Sequence, residues 1–185
     1  MSDNESFDEF SAQLDRLSAA FLPRLTLKSF KHAAFLSEET NAFSATVYFD
    51  GKRVGHAKNE GHGGSTDIFA SKGAERERLT AAEAEVKAHD DAGPYCGLDY
   101  IVDAAVERRI RAKEDQKALR GGKIAWTLVG SPNEITSVKW PTVAKDWPQS
   151  KPEFMAEAKT AGWISDPSAV TFLNDTVSLR DTVSL

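Results

Sequence analysis

The chain has 185 residues, 41% hydrophobic and 28% charged, with a net charge of −5 and one cysteine. That length allows a substantial core in one domain, and the composition is that of an ordered globular protein. The single thiol, Cys96, excludes an intrachain disulfide and a cysteine-built zinc site, while the acidic balance opposes nucleic-acid binding over the whole surface.

In chain order, Phe7, Phe10, Leu14, Leu17 and Phe21 recur at helical spacing, and Ser6 with Glu9 forms a capping box, so a helix is expected over residues 6–21. Alternation of Leu25 and Leu27 with Thr26 and Lys28 predicts a strand over residues 24–32. A hairpin follows around Asp50-Gly51, a preferred two-residue turn. It sets Phe49 opposite Lys52, Val47 opposite Val54 and Ala45 opposite His56, so that His56 shares the apolar face. Residues 66–70 read as a short third strand. Helices are expected over residues 75–89, with Leu79, Ala82 and Val86 inward, and over residues 98–119, stopped by Gly121-Gly122. A second hairpin joins residues 123–129 to 135–140 through Ser131-Pro132-Asn133, and a last helix over residues 151–161 starts at a Ser150/Glu153 capping box. The pentapeptide DTVSL occurs at Asp175–Leu179 and Asp181–Leu185 and reads as a tail. Adjacent hairpins oppose a doubly wound parallel sheet. The expectation is a single α+β domain over residues 1–174, with a mostly antiparallel sheet built from two hairpins, helices packed on one face, and a tail over 175–185.

No apolar run approaches the roughly 20 residues needed to span a bilayer. The N-terminus MSDNESFDEF is acidic where a signal peptide would be basic and then apolar. A cytoplasmic protein is expected.

The segments SEET (residues 37–40), F-x-A-x-V-Y-x-DGK (43–52) and NEGHGG (59–64) resemble a signature of uncharacterised proteins of bacteriophages and other mobile elements. The resemblance covers about the central third of the chain and carries no known activity. It implies a small accessory protein acting on host or anti-phage defence machinery, in the host cytoplasm, and it transfers no catalytic residue.

The loop after the first hairpin holds Asn59, Gly61, His62, Gly63 and Gly64. Its glycines permit positive φ and expose backbone N–H groups, the geometry of an anion-binding nest. A phosphate-binding P-loop needs Lys and Ser/Thr after the glycines and a helix there, whereas this chain continues into a strand. His62-Gly63-Gly64 is similar to an esterase oxyanion loop, but no G-x-S-x-G nucleophile elbow accompanies it. The plainer reading is a turn that redirects the strand. Glu38, Glu39, His62 and Asp67 have the donor types of a metal or hydrolytic centre without its spacing, so no cofactor and no metal is assigned. Cys96 reads as a structural thiol.

Arg108, Arg109, Arg111 and Lys113 crowd the later half of the long helix. They complement its C-terminal pole as a solvated face, or they contact nucleic acid or an acidic partner. Trp147 beside Pro148 is the tryptophan expected at an exposed surface. Together these readings favour a non-enzymatic interaction protein using Asn59, Gly61, His62, Gly63 and Gly64 toward a protein partner. The alternatives are a metal- or phosphate-handling enzyme using Glu38, Glu39, His62 and Asp67, and a nucleic-acid binder using the basic helix end.

Overall fold

A computed structural model describes residues 3–93 and 96–176. The chain is α+β, all strand pairing among the described residues is antiparallel, and it divides into two compact units, residues 1–110 and 111–185. Each expected hairpin lies in a sheet of its own. Charge divides with the chain. Residues 1–110 carry 19 acidic and 13 basic side chains, a net of −6, against 9 and 10 for the remainder, a net of +1.

In the first unit, α1 (Asp3–Phe21) leads through a turn to β1 (Leu25–His32), β2 (Phe43–Phe49), β3 (Lys52–Asn59) and β4 (Asp67–Phe69), then α2 (Ala74–Lys87) and α3 (Leu98–Leu119) as far as Ile110, the last turns of α3 belonging to the second unit. The sheet order is β1-β2-β3-β4. Helix α1 begins at Asp3, so Ser6 lies inside it and is not its cap. Leu17 and Phe21 of α1, Leu79, Ala82 and Val86 of α2, and Ile101, Val102 and Val106 of α3 are buried with Leu27, Phe43, Ala45, Val47 and Ala57 of the sheet. The helices thus cover one sheet face, because apolar residues alternate along β2 while the intervening side chains are only half-buried. Cys96 is buried in the same core, as expected of a structural thiol.

The Asp50-Gly51 turn forms as expected, with φ of 48° and 72°, the left-handed pair of a tight hairpin. The strand register departs from the expected one. Phe49 faces Lys52 and Tyr48 faces Arg53, but Val47 faces Gly55, so Val54 is the extra residue of a β-bulge. Every later residue of β3 changes face. His56 pairs with Thr46 and is exposed, and Ala57 takes the buried position opposite Ala45. The sequence reading of His56 on the apolar face is corrected by that one-residue slip. Gly55 lies against β4, where an added Cβ would stand 2.7 Å from the Phe69 carbonyl oxygen.

At the sheet's end, Arg24 ties the hairpin tip to α2. Its guanidinium bonds Asp50 of the turn and Glu85 of α2 and lies 4.6 Å from the Phe49 ring centroid.

The second unit contains β5 (Lys123–Leu128), β6 (Ser131–Lys139), α4 (Pro141–Lys145), α5 (Lys151–Thr160), β7 (Val170–Phe172) and α6 (Leu173–Thr176), with sheet order β6-β5-β7. The hairpin turns at Val129-Gly130, with Leu128 facing Ser131, so the expected turn residues Ser131-Pro132-Asn133 lie within β6. Ile124 and Trp126 pack with Phe154, Ala158 and Phe172, while Ala125 packs with Leu119 and Leu173. Ser150 makes no side-chain cap to α5; its hydroxyl donates to the Val143 carbonyl instead. Asp175, expected in a tail, lies within α6 and bonds the Trp147 indole and Lys151. The rest of the DTVSL duplication from residue 177 onward lies outside the described residues.

Candidate functional site

Asn59, the last residue of β3, is 7% exposed and organises the glycine loop. Its carbonyl oxygen accepts from the Thr40 hydroxyl and the Gly61 N–H, each at 2.9 Å. Its amide nitrogen donates to the Gly64 carbonyl at 2.9 Å and to the Thr66 hydroxyl at 3.2 Å. A buried amide satisfied on both sides fixes its own orientation, because a flip would set donor against donor.

The preceding segment, residues 33–42, is stitched to this loop. The Gly61 carbonyl accepts from the N–H groups of Glu38 and Glu39 at 3.0 Å and of Thr40 at 3.3 Å. That approach demands glycine at position 61, where φ is 93° and an added Cβ would stand 2.2 Å from the Leu36 carbonyl oxygen. Gly63 also has positive φ, but Gly64 does not. The Gly63 N–H donates to the Thr40 hydroxyl at 3.3 Å. The amides of Gly61 and Gly63, two of those expected to form an anion nest, are therefore engaged inside the loop.

The hydrogen-bond chain ends on a residue that sequence reasoning missed. Thr66, itself buried, donates at 2.5 Å to Asp103 on α3. Burial pushes the Asp103 carboxyl up to about 6 against the opposing Thr66 hydrogen bond, and the charges of Asp99 and Glu107 add to the rise. Asp103, Glu107, Glu38 and Glu39 line one cleft of about 300 Å³ beside Thr40 and Asn59. Four carboxylates there favour a cationic guest and oppose a phosphate. Only the helical spacing Asp99-Asp103-Glu107 hinted at this in the sequence.

Of the proposed enzyme residues, His62 and Glu38 meet, Nδ1 to Oε2 at 3.1 Å, both well exposed, and the Glu39 carboxylate lies close to Gly63. Asp67 and His62 line a neighbouring cleft with Phe69. Among the described residues no three His, Cys, Asp or Glu side chains converge as metal ligands. The nearby Ser37 hydroxyl donates to the Ala33 carbonyl and accepts from the Ala42 N–H, so it is engaged in holding the loop.

Exposed apolar side chains flank the same loops. Phe35 is 87% exposed, with Leu36 beside it, and Phe69 is exposed at the sheet edge. The basic stripe of α3 is fragmented by comparison. Arg109 donates to the Leu27 carbonyl at 2.6 Å and stacks 5.2 Å from the Phe30 centroid, and Arg111 bonds Asp115 and Asn133. Lys113 is engaged as well, while Arg108 is exposed. A stripe in which three of four cations are engaged with neighbours is a poorer phosphate-tracking face than a free one. Trp147, expected at an exposed surface, is half-buried against Phe154 and Phe172.

Compared with protein-family models, curated proteins and solved structures, the chain matches none. Among the described residues no helix is long and apolar enough to cross a membrane.

Proposed function

We propose that this is a non-enzymatic accessory protein of a phage or mobile element that binds a protein partner in the host cytoplasm. Its recognition surface is the pair of loops at residues 33–42 and 59–66, and it modulates host or defence machinery through that partner. The observation carrying this reading is Phe35, 87% exposed on a segment held by three N–H bonds to the Gly61 carbonyl. An exposed aromatic on a fixed loop is costly in water and well suited to anchor an interface, since little ordering entropy is lost on binding.

The partner's chemistry follows from the neighbours. Glu38 and Glu39 stand on the same segment as Phe35 and line the acidic cleft with Asp103 and Glu107. A partner segment that pairs an apolar residue with Lys or Arg satisfies both, and the net −6 of this unit steers it in. His62 takes the role of a polar rim contact through Glu38.

Affinity capture from host lysate tests the reading. Wild-type protein should retain a specific partner whose capture weakens with salt. Phe35→Ala and Glu38→Gln/Glu39→Gln variants should lose it with unchanged circular dichroism. A partner retained equally by both variants would remove these loops as the recognition surface.

A further inference from the structure

In the second unit, a cleft of about 440 Å³ lies between the end of α3, the start of β5 and α4. Its size falls in the range of small-molecule sites, roughly 300–1,000 Å³. Leu119 and Ala144 are buried and give it an apolar floor, Trp147 forms one wall, and Arg120, Lys123 and Lys145 line it. Among the described residues these three cations form no ion pair, whereas the neighbouring Lys151 is paired with Asp175. The last carbonyls of α3 are a partial negative charge at the same place, which a single cation would offset; three cations leave a positive surplus.

We propose that this cleft binds a nucleotide, its phosphate held by Arg120, Lys123 and Lys145 and its base laid against Trp147. The indole is already fixed. Its Nε1 donates to Asp175 at 2.7 Å, and its ring lies 5.1 Å from Phe172 and 6.0 Å from Phe154, so binding costs little side-chain ordering. Gly122 and Pro141, both lining the cleft, approach closely: an added Cβ at Gly122 would stand 2.7 Å from the proline Cα. Aromatic wall, apolar floor and multiple cations match the flat ring and dianionic phosphate of a nucleotide. A simple carboxylate would leave the wall or the surplus charge unused. The unit's net charge of +1 agrees, while the first unit's −6 would repel the same ligand. The nucleotide is free or part of a single strand.

Titration calorimetry of the full chain with AMP, single-stranded oligothymidylate and inorganic phosphate tests this. AMP, the oligonucleotide or both should bind saturably, more weakly as salt rises, and inorganic phosphate at least about tenfold more weakly than the better of them. Binding of AMP assigns the free nucleotide, and binding of the oligonucleotide alone assigns the strand. Arg120→Glu/Lys145→Glu, both exposed positions, should reduce affinity about tenfold or more. Trp147→Leu should do so as well with the charges intact. The proposal is overturned if neither AMP nor the oligonucleotide binds at low salt, if charge reversal leaves affinity unchanged, or if inorganic phosphate binds as tightly as the better of AMP and the oligonucleotide.

Discussion

Replacing Asp103 by Asn tests the interior end of the hydrogen-bond chain under the candidate site. Burial raises the Asp103 carboxyl to about 6, so the folded protein holds its proton more tightly than the unfolded chain does. The sign follows directly: stability from this group is full below about pH 4 and is lost as pH rises through about 6. A rise of about two pH units corresponds to about 3 kcal/mol. The side chain is only partly buried, and solvent screening reduces this to about 1–2 kcal/mol. Asn keeps an acceptor for the Thr66 hydroxyl and carries no charge. Asp103→Asn should therefore be more stable than wild type by about 1–2 kcal/mol at pH 7.5 and within about 0.5 kcal/mol of it at pH 4. Urea unfolding followed by far-ultraviolet circular dichroism measures the difference. Tryptophan fluorescence serves as an internal control, because Trp126, Trp140, Trp147 and Trp163 all lie in the second unit. A variant less stable at pH 7.5, or a gap equal at both pH values, would refute the assigned burial of the charge.

Further substitutions separate the remaining arguments. Asn59→Asp keeps the acceptor for Gly61 and loses both donors, so it should destabilise the first unit by about 3 kcal/mol or more and speed exchange of the Gly61 amide; a change below about 1 kcal/mol contradicts the assigned amide orientation. His56→Ala should shift stability by less than about 0.5 kcal/mol, whereas Ala57→His should cost about 2 kcal/mol or more. Reversal of that order would restore the unbulged register. Gly55→Ala should cost about 1–3 kcal/mol through the Phe69 carbonyl and increase hydrogen exchange in β4, and an unperturbed β4 would count against that close approach.

Local chemistry determined the elements that carry their own signals. Asp50-Gly51 supports left-handed φ and formed the expected turn, and the apolar stripe of residues 98–119 gave α3 with the expected limits. The α+β class and antiparallel pairing followed from two adjacent hairpins. Glycines at 61, 63 and 64 marked a loop permitting positive φ, which Gly61 and Gly63 adopt and Gly64 does not. Whether its amides face a ligand or the loop itself was not legible, since that depends on Thr40, nineteen residues before Asn59 in sequence. The short α4 and β7 lack the periodicity that longer elements display.

Tertiary structure alone decided the rest, because burial and pairing are properties of neighbours distant in the chain. The bulge at Val54 arises between strands and moves His56 to the open face, and the adjacent Gly55 does not by itself fix which residue is unpaired. Asp103 becomes the end of a buried polar chain only when α3 packs beside Thr66, which reaches it across 37 residues. The same holds for the cleft at Trp147, whose cations come from the end of one helix, the start of a strand and a second helix. Sequence therefore supplied the backbone's turns and periods, while the first unit's acidic, aromatic surface and the second unit's basic cleft exist only in the folded chain.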